Sequence, residues 1–306
     1  MNNDRKLTVK RLIIFLILAF FPFYIIVPAM WSYYGEPFFA SEREDVAVAV
    51  YAVGVFAMMI PSCANLITRL VTKEGFGRSY LGLNCKGKMG YFIASVLVPL
   101  AYSAVTMLFL CAVQLGGIQE SLASPSLQNT GLFLLQLAVS LVIFFPAFGE
   151  EWGWRGYMMP KLMELMPKPA AVVAGGVIWG LWHAPLTVAG HNFGVDYPGY
   201  PWLGILFMCL MCISMNAFLT LITEKTHSIY PAAFTHAINN NLSATGLLSI
   251  FGTEAAAEKL TDMEPMSFLM SFFMEYLAVL ALVGIVSMIL LLKGGKKGSA
   301  ALDNAA

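Results

Sequence analysis

Six ionisable side chains lie inside or at the edge of long apolar stretches, where a charge is costly unless it is paired or hydrated. They are Glu150, Glu151, Arg155, His183, His236 and Glu275. Carboxylates and imidazoles in a dry pocket can take up and return protons. The set therefore predicts acid–base chemistry at a buried site, with Glu275 as a member of no obvious motif.

The first motif is a pair of glutamates followed by an arginine, in GEEWGWRG. Adjacent side chains on a helix point about 100° apart, so Glu150 and Glu151 are expected to have different roles. Arg155 lies four residues after Glu151, which is the favourable order for an ion pair. That pair alone would be a salt-bridged helix cap, but it leaves Glu150 unpaired and predicts that Glu150 is a general base.

The second motif is a histidine in IWGLWHAPL. His183 follows Trp179 and Trp182, which would exclude water from one side of the ring. A neutral imidazole there can receive a proton, hold a water or bind a metal, and the plain alternative is a hydrogen-bonded packing residue.

The third motif lies in AAFTHAINNN. His236 and Asn240 are four residues apart, so they share a helical face and can converge on one small group. Such a pair suits the stabilisation of an oxyanion in a dry site. Asn239 and Asn241 point elsewhere, and hydrogen bonds between helices are the alternative reading of all three asparagines.

The elements that must position these groups are membrane helices. The chain has 306 residues, 58% hydrophobic and 12% charged, and a mean hydropathy of +0.73, which is typical of a polytopic membrane protein. The sequence predicts an all-α bundle of about eight transmembrane helices, at 12–31, 46–68, 91–115, 131–150, 170–189, 201–223, 229–250 and 268–292.

Basic residues predict the orientation, because Lys and Arg gather in cytoplasmic loops. With a cytoplasmic amino terminus, 16 of the 18 basic residues fall on the inner side, and only Arg43 and Lys259 fall outside. Both termini are therefore predicted to be cytoplasmic. The inner set is Arg5, Lys6, Lys10, Arg11, Arg69, Lys73, Arg78, Lys86, Lys88, Arg155, Lys161, Lys168, Lys225, Lys293, Lys296 and Lys297.

The three motifs can meet only if the fourth helix extends beyond its apolar part. His183 lies about 22 Å beyond Lys168 at 1.5 Å per residue, which is well inside the bilayer. Glu150 reaches that depth if its helix runs on, broken or kinked at Pro146 and Pro160, before a short link around 160–169.

Several function classes are excluded or disfavoured by composition. A net charge of zero gives no positive field to attract nucleic acid. Five cysteines form no disulfide framework, and the apolar surroundings of Cys209 and Cys212 indicate small buried hydrophobes. Residues 1–306 are read as a single integral membrane domain, with a disordered tail at 294–306.

In this order, Glu150-Glu151-x-x-x-Arg155, Trp179-x-x-x-His183 and His236-x-x-x-Asn240 resemble the CPBP family of intramembrane proteases. That family includes type II CAAX prenyl endopeptidases and bacteriocin-processing or self-immunity proteins. The likeness covers a family core at about 130–245. Trp179 stands where the family usually has phenylalanine.

The resemblance implies a cavity open to the cytoplasmic side and a role for each motif residue. Glu150 and His183 would activate the attacking water, His236 and Asn240 would bind the oxygen of the scissile carbonyl, and Glu151 and Arg155 would support the site. The family is commonly called a metalloprotease, which would make Glu150, His183 and His236 ligands of a zinc ion. The HExxH motif of many zinc proteases is absent, and a water activated by glutamate needs no metal ion. The sequence is therefore compatible with a site with zinc and with a site without it.

Three functions follow from this reading. The first is a multi-pass endopeptidase of the cell membrane that hydrolyses a peptide bond of a membrane-associated protein or peptide, in CAAX-type or bacteriocin-related processing. The second is an ion-coupled transporter, since buried Glu, His and Arg also build proton relays, but paired halves are not evident. The third is a non-catalytic immunity or scaffold protein, although all six motif residues are present.

Overall fold

The computed structural model describes residues 3–35, 38–40, 43–77, 79–271, 273 and 278–303. These residues form an all-α bundle without a named strand, and one isolated bridge joins Leu122 and Gly252. The helices are α1 (Asn3–Tyr34), α2 (Glu44–Val71), α3 (Met89–Val113), α4 (Ile118–Ser121), α5 (Leu127–Gly153), α6 (Met159–Leu165), α7 (Lys168–Trp182), α8 (Ala184–Val188), α9 (Trp202–Thr226), α10 (Tyr230–Asn241), α11 (Ala244–Phe251), α12 (Glu254–Thr261), α13 (Pro265–Ser271) and α14 (Ala278–Asp303).

Five stretches of the described residues are long and apolar enough to cross a membrane, by length and composition. This is a polytopic membrane bundle, as the sequence predicts. The count of eight spans, the cytoplasmic placement of both termini and the single-domain organisation stay predictions. The five stretches are Asn3–Tyr34, Val48–Val71, Met89–Val113, Leu127–Leu165 and Trp202–Thr226.

The extension of the fourth helix is present, but its irregularity lies at an unexpected place. α5 continues into a π-helical turn, Trp154–Met158, and then into α6, so that one helical run reaches Leu165. Pro146 lies inside α5, and Pro160 is tolerated in the first turn of α6. The irregularity is therefore the π turn and not a break at either proline. The link before α7 consists only of residues 166–167.

Two predicted spans are interrupted. The predicted helix 170–189 breaks at His183, because Pro185 has no N–H to offer the carbonyl of Leu181. The hydroxyl of Tyr24 donates to that carbonyl instead, at 2.5 Å. The predicted helix 229–250 ends at Asn241, and Ser243 starts α11 by accepting a hydrogen bond from the Gly246 amide.

The last predicted span, 268–292, corresponds to parts of α13 and α14. Glu275 lies outside the described residues. α14 continues to Asp303. The disordered tail at 294–306 stays a prediction.

Small residues allow close contact between the helices that carry the motifs. A Cβ added at Gly176 or Gly180 of α7 would lie 2.4 or 2.5 Å from a Cα atom of α9. A Cβ added at Gly153 of α5 would lie 2.3 Å from Cβ of Pro61 in α2. These backbones approach as closely as small residues permit, which is how helices associate in membranes.

A polar cluster around Glu74, just beyond the end of α2, connects α1, the π turn and α6. Glu74 pairs with Lys161 at 2.5 Å and Arg11 at 3.4 Å, and it accepts a hydrogen bond from the Tyr157 hydroxyl at 2.9 Å. Burial opposes ionisation of this carboxyl, but the Lys161 ammonium, the Tyr157 hydroxyl and Arg11 together lower its pKa below the ordinary value. α1 is thereby tied to α6.

Candidate active site

One cavity of about 390 Å³ is lined by residues of all three motifs. Glu150 from α5, His183 from the α7–α8 junction, and His236 and Asn240 from α10 all face it. The sequence predicted that these side chains point into one shared space, and the structure brings them together. Whether they act in catalysis is a separate question.

Glu150 is buried, with 2% of its surface exposed, and it has two indole donors. Nε1 of Trp179 donates to Oε2 at 2.9 Å, and Nε1 of Trp154 donates to the same oxygen at 3.2 Å. None of the described residues donates a hydrogen bond to Oε1. A carboxylate with one oxygen fixed and the other available can accept a proton from a water in the cavity.

Glu151 pairs with Arg155, as the spacing predicts, at 2.9 Å. The same oxygen, Oε1, lies 2.8 Å from Nδ1 of His236, a contact that the sequence did not predict. Glu151 and Arg155 have 0% and 1% of their surfaces exposed, so this is a dry ion pair. The guanidinium also lies 4.0 Å above the ring of Trp179, which provides a cation–π contact.

The two histidines have different hydrogen-bonding states. Nδ1 of His183 lies 2.9 Å from the carbonyl oxygen of Trp179, which can only accept, so Nδ1 carries the proton and Nε2 keeps a lone pair. Nδ1 of His236 lies 2.8 Å from Oε1 of Glu151, and a carboxylate accepts, so Nδ1 carries a proton there too. His183 is thus an acceptor toward the cavity, and His236 donates to it when Nε2 also carries a proton.

Asn240 and Asn241 lie where the sequence predicts, and Asn239 does not. Asn240 is exposed in the cavity, and Asn241 donates to the Gln136 carbonyl at 2.6 Å, joining α10 to α5. Asn239 accepts from the Tyr102 hydroxyl at 2.6 Å and also lines the cavity. Two faces of α10 therefore line the same cavity.

The cavity also contains polar residues that the sequence motifs did not include. His191 and Asn192 line it from the loop between α8 and α9. Burial, and then the neighbouring His183, lower the pKa of His191 to about 3, so this ring is neutral. A polar pair just after an apolar stretch gives only a weak signal, and the sequence does not show that the loop folds back over the site.

Glu150, His183 and His236 are the candidate ligands for a metal ion. Across the described ranges, no three His, Cys, Asp or Glu side chains are grouped closely enough to hold one. The contacts of Glu150 through Oε2 and of His236 through Nδ1 leave Oε1 and Nε2 as the atoms that would bind an ion. As arranged, Glu150, His183 and His236 do not fit a zinc ion.

Part of this chain is similar to known proteins. Residues 130–242 match the family described as type II CAAX prenyl endopeptidase Rce1-like. A CAAX prenyl protease 2 of Methanococcus maripaludis is 31% identical over 111 residues, which is 36% of this chain.

The match with that protein spans 38% of its length, so less than half of either chain is shared. The segment that the family matches, residues 130–242, contains the residues that line the cavity from α5, α7 and α10. Both comparisons support the resemblance predicted from the three motifs: residues 130–242 are similar to the Rce1-like family of type II CAAX prenyl endopeptidases.

Proposed function

We propose that this chain is an intramembrane endopeptidase of the CAAX type, which hydrolyses a peptide bond of a membrane-associated protein or peptide. The observation that carries the proposal is the meeting of two proton acceptors and two donors at one cavity. The acceptors are Oε1 of Glu150 and Nε2 of His183. The donors are the ring of His236 and the amide of Asn240.

The first step is activation of water. The two acceptors bind its two hydrogens, which orients a lone pair toward the carbonyl carbon of the scissile peptide. As the oxygen attacks, a proton moves to Glu150, which acts as the general base. The indole bonds from Trp154 and Trp179 hold the carboxylate in place during this transfer.

The second step is stabilisation of the tetrahedral intermediate. Its oxyanion accepts hydrogen bonds from the imidazolium of His236 and the amide nitrogen of Asn240. Oε1 of Glu151 holds the ring through Nδ1, and Arg155 pairs with the same oxygen. Collapse of the intermediate passes the proton from Glu150 to the leaving amine.

The proposal defines the substrate only as a class. The matched relative is named as a CAAX prenyl protease, and a bacteriocin-related peptide is the other family substrate expected from the motifs. One wall of the cavity contains Met58, Met208, Met211 and Met215. Methionine adapts its shape to varied apolar groups, which suits a lipid-modified or apolar peptide.

The test is cleavage of a quenched fluorescent, farnesylated CAAX peptide by the full chain in proteoliposomes. Glu150→Gln removes the base and is expected to lower kcat by about 10²–10⁴-fold. Glu164→Gln is the control, because Glu164 is an exposed carboxylate at the far end of the same helical run. Unchanged cleavage by a folded Glu150→Gln variant would refute the mechanism.

A second measurement addresses the metal. Because the three candidate ligands are not grouped, we expect cleavage to persist after treatment with a chelator and dialysis. Metal analysis of the same sample gives the zinc content per chain. Loss of activity that zinc restores would show that Glu150, His183 and His236 regroup around an ion.

A further inference from the structure

The side-chain amide of Asn240 can present either of two atoms to a substrate. Its nitrogen donates hydrogen bonds and its oxygen accepts them, and half a turn of the amide exchanges the two. Only the nitrogen can stabilise an oxyanion, whereas the oxygen would repel it. Asn240 is exposed in the cavity, so close packing does not fix the amide. A hydrogen bond has to select the orientation.

The neighbouring residue Asn239 makes that hydrogen bond. Nδ2 of Asn239 donates to Oδ1 of Asn240 at 3.3 Å. The bond engages the oxygen of Asn240 and leaves Nδ2 of Asn240 as the donor for a substrate. Asn239 has the same ambiguity, however. With its amide reversed, it would offer an oxygen and attract Nδ2 of Asn240 away from the substrate.

Tyr102 in α3 selects the orientation of Asn239. Its hydroxyl lies 2.6 Å from Oδ1 of Asn239, a distance typical of an O–H donor and an oxygen acceptor. Tyr102 is only 4% exposed, so little water competes for this bond. The residue belongs to none of the three motifs, and it lies outside residues 130–242, the segment that the family matches.

We propose that Tyr102 and Asn239 are positioning residues, which orient the amide of Asn240 through two successive hydrogen bonds so that its nitrogen faces the scissile carbonyl. The inference rests on the proposed endopeptidase function for the role of Asn240, and on the contacts of Tyr102 and Asn239 for the orientation. Neither residue has to touch the reacting atoms. Their effect on catalysis therefore passes through Asn240.

The same two helices provide a matched control. Oγ1 of Thr235 in α10 donates to the carbonyl of Ser95 in α3 at 2.9 Å. Tyr102→Phe and Thr235→Val each remove one hydroxyl that bonds across α3 and α10, with little change in side-chain volume. Only Tyr102→Phe breaks the connection to Asn240.

Steady-state cleavage of the farnesylated reporter peptide in proteoliposomes is the first test. Tyr102→Phe is expected to lower kcat by about 3–10-fold with KM unchanged, because one neutral hydrogen bond is lost and it holds a catalytic donor. Thr235→Val should leave kcat within about twofold. Equal losses of kcat in the two variants would overturn the proposal, since Tyr102 would then act only through the packing of α3 on α10.

A double-mutant cycle shows whether the effect passes through Asn240. Asn240→Ala removes the donor and is expected to lower kcat by about 10²–10³-fold. In that background Tyr102→Phe should change kcat by less than about twofold, because no amide is left to orient. A full additional loss would contradict the proposal. Asn239→Leu breaks the same connection at similar size, and it gives this comparison where Tyr102→Phe does not insert.

The orientation is also measured without catalysis. The side-chain amide signals of Asn240 are recorded by NMR in detergent micelles on chains that contain ¹⁵N-labelled asparagine, and Asn240→Ala assigns them. Tyr102→Phe is expected to shift these signals further than Thr235→Val does. Equal or absent shifts overturn the proposal even in an active enzyme. A parent chain that cleaves nothing would refute the endopeptidase function instead, while these signals would still decide whether Tyr102 orients Asn240.

Discussion

Trp179 connects the two halves of the candidate site. Its indole nitrogen donates to Glu150, and its ring lies beneath the guanidinium of Arg155. Its backbone carbonyl accepts from Nδ1 of His183 and so fixes the tautomer of that ring. By shape alone, tryptophan in place of phenylalanine at position 179 is a conservative replacement. Phenylalanine has no donor, so the difference is chemical as well as steric.

Trp179→Phe is expected to lower kcat with little change in KM, since the lost donor holds the base rather than the substrate. A hydrogen bond to a charged group contributes about 1.5–3 kcal/mol, which corresponds to a loss of about 10–100-fold. The measurement is steady-state cleavage in proteoliposomes.

Trp182→Phe is the matched control for this prediction. Its indole donates to the Ala19 carbonyl at 3.0 Å and not to Glu150. The change should lower stability and leave kcat within about threefold, because only a packing bond is lost. Equal losses of kcat in both variants would mean that Trp179 acts only through packing.

At the scale of elements, the π turn in the α5–α6 run depends on α2. The side chain of Asn65 donates to the Trp152 carbonyl at 2.9 Å, and Arg69 donates to the Gly156 carbonyl at 3.4 Å. Nε of Arg69 also donates to Oδ1 of Asn65 at 2.7 Å, which orients the amide. Carbonyls around a π turn need such partners in a membrane, where water cannot supply them.

The site also depends on the contact between α7 and α9, because α7 carries Trp179 and leads to His183. Gly180→Ala puts a methyl group 2.5 Å from the Cα of Cys209. Such overpacking is expected to destabilise the fold by about 1–3 kcal/mol, read as a lower midpoint of thermal unfolding in detergent.

Gly131→Ala is the control for the glycine prediction. Gly131 lies in α5 with nothing within 4 Å of the added Cβ, so the change should be neutral or stabilising by about 0.5–1 kcal/mol. A Gly180→Ala variant as stable as Gly131→Ala would show that α7 and α9 separate more easily than the packing indicates.

In the molecule as a whole, the Glu74 cluster joins the first helix to the end of the long helical run. Its depressed carboxyl pKa makes stability depend on pH. A carboxylate of this kind contributes stability that is present above its unfolded pKa and lost as the pH falls through the folded value.

Glu74→Gln is therefore expected to lower the thermal midpoint near neutral pH, because it removes the charge that Lys161 and Arg11 bind. The difference from the parent chain should shrink as the pH falls below the ordinary carboxyl value of 4.5. Glu254→Gln, an exposed carboxylate at the start of α12, is the control and should show no such dependence. A pH-independent difference would mean that Glu74 acts by shape alone.

The fold class, the order of the motifs and the Glu151–Arg155 pair can all be predicted from the amino-acid sequence. Hydropathy and spacing along one helix are local properties, so they can be read from the chain without knowing how helices pack. The extension of the fourth helix was also predicted, although the π turn was not, because proline gives a sequence signal and a π turn gives none.

Only the tertiary structure decided which groups face one another. Glu151 and His236 are 85 residues apart, and Trp179 is 29 residues from Glu150. Their contacts depend on how far each helix is rotated and where it breaks, which glycines and prolines on other helices control.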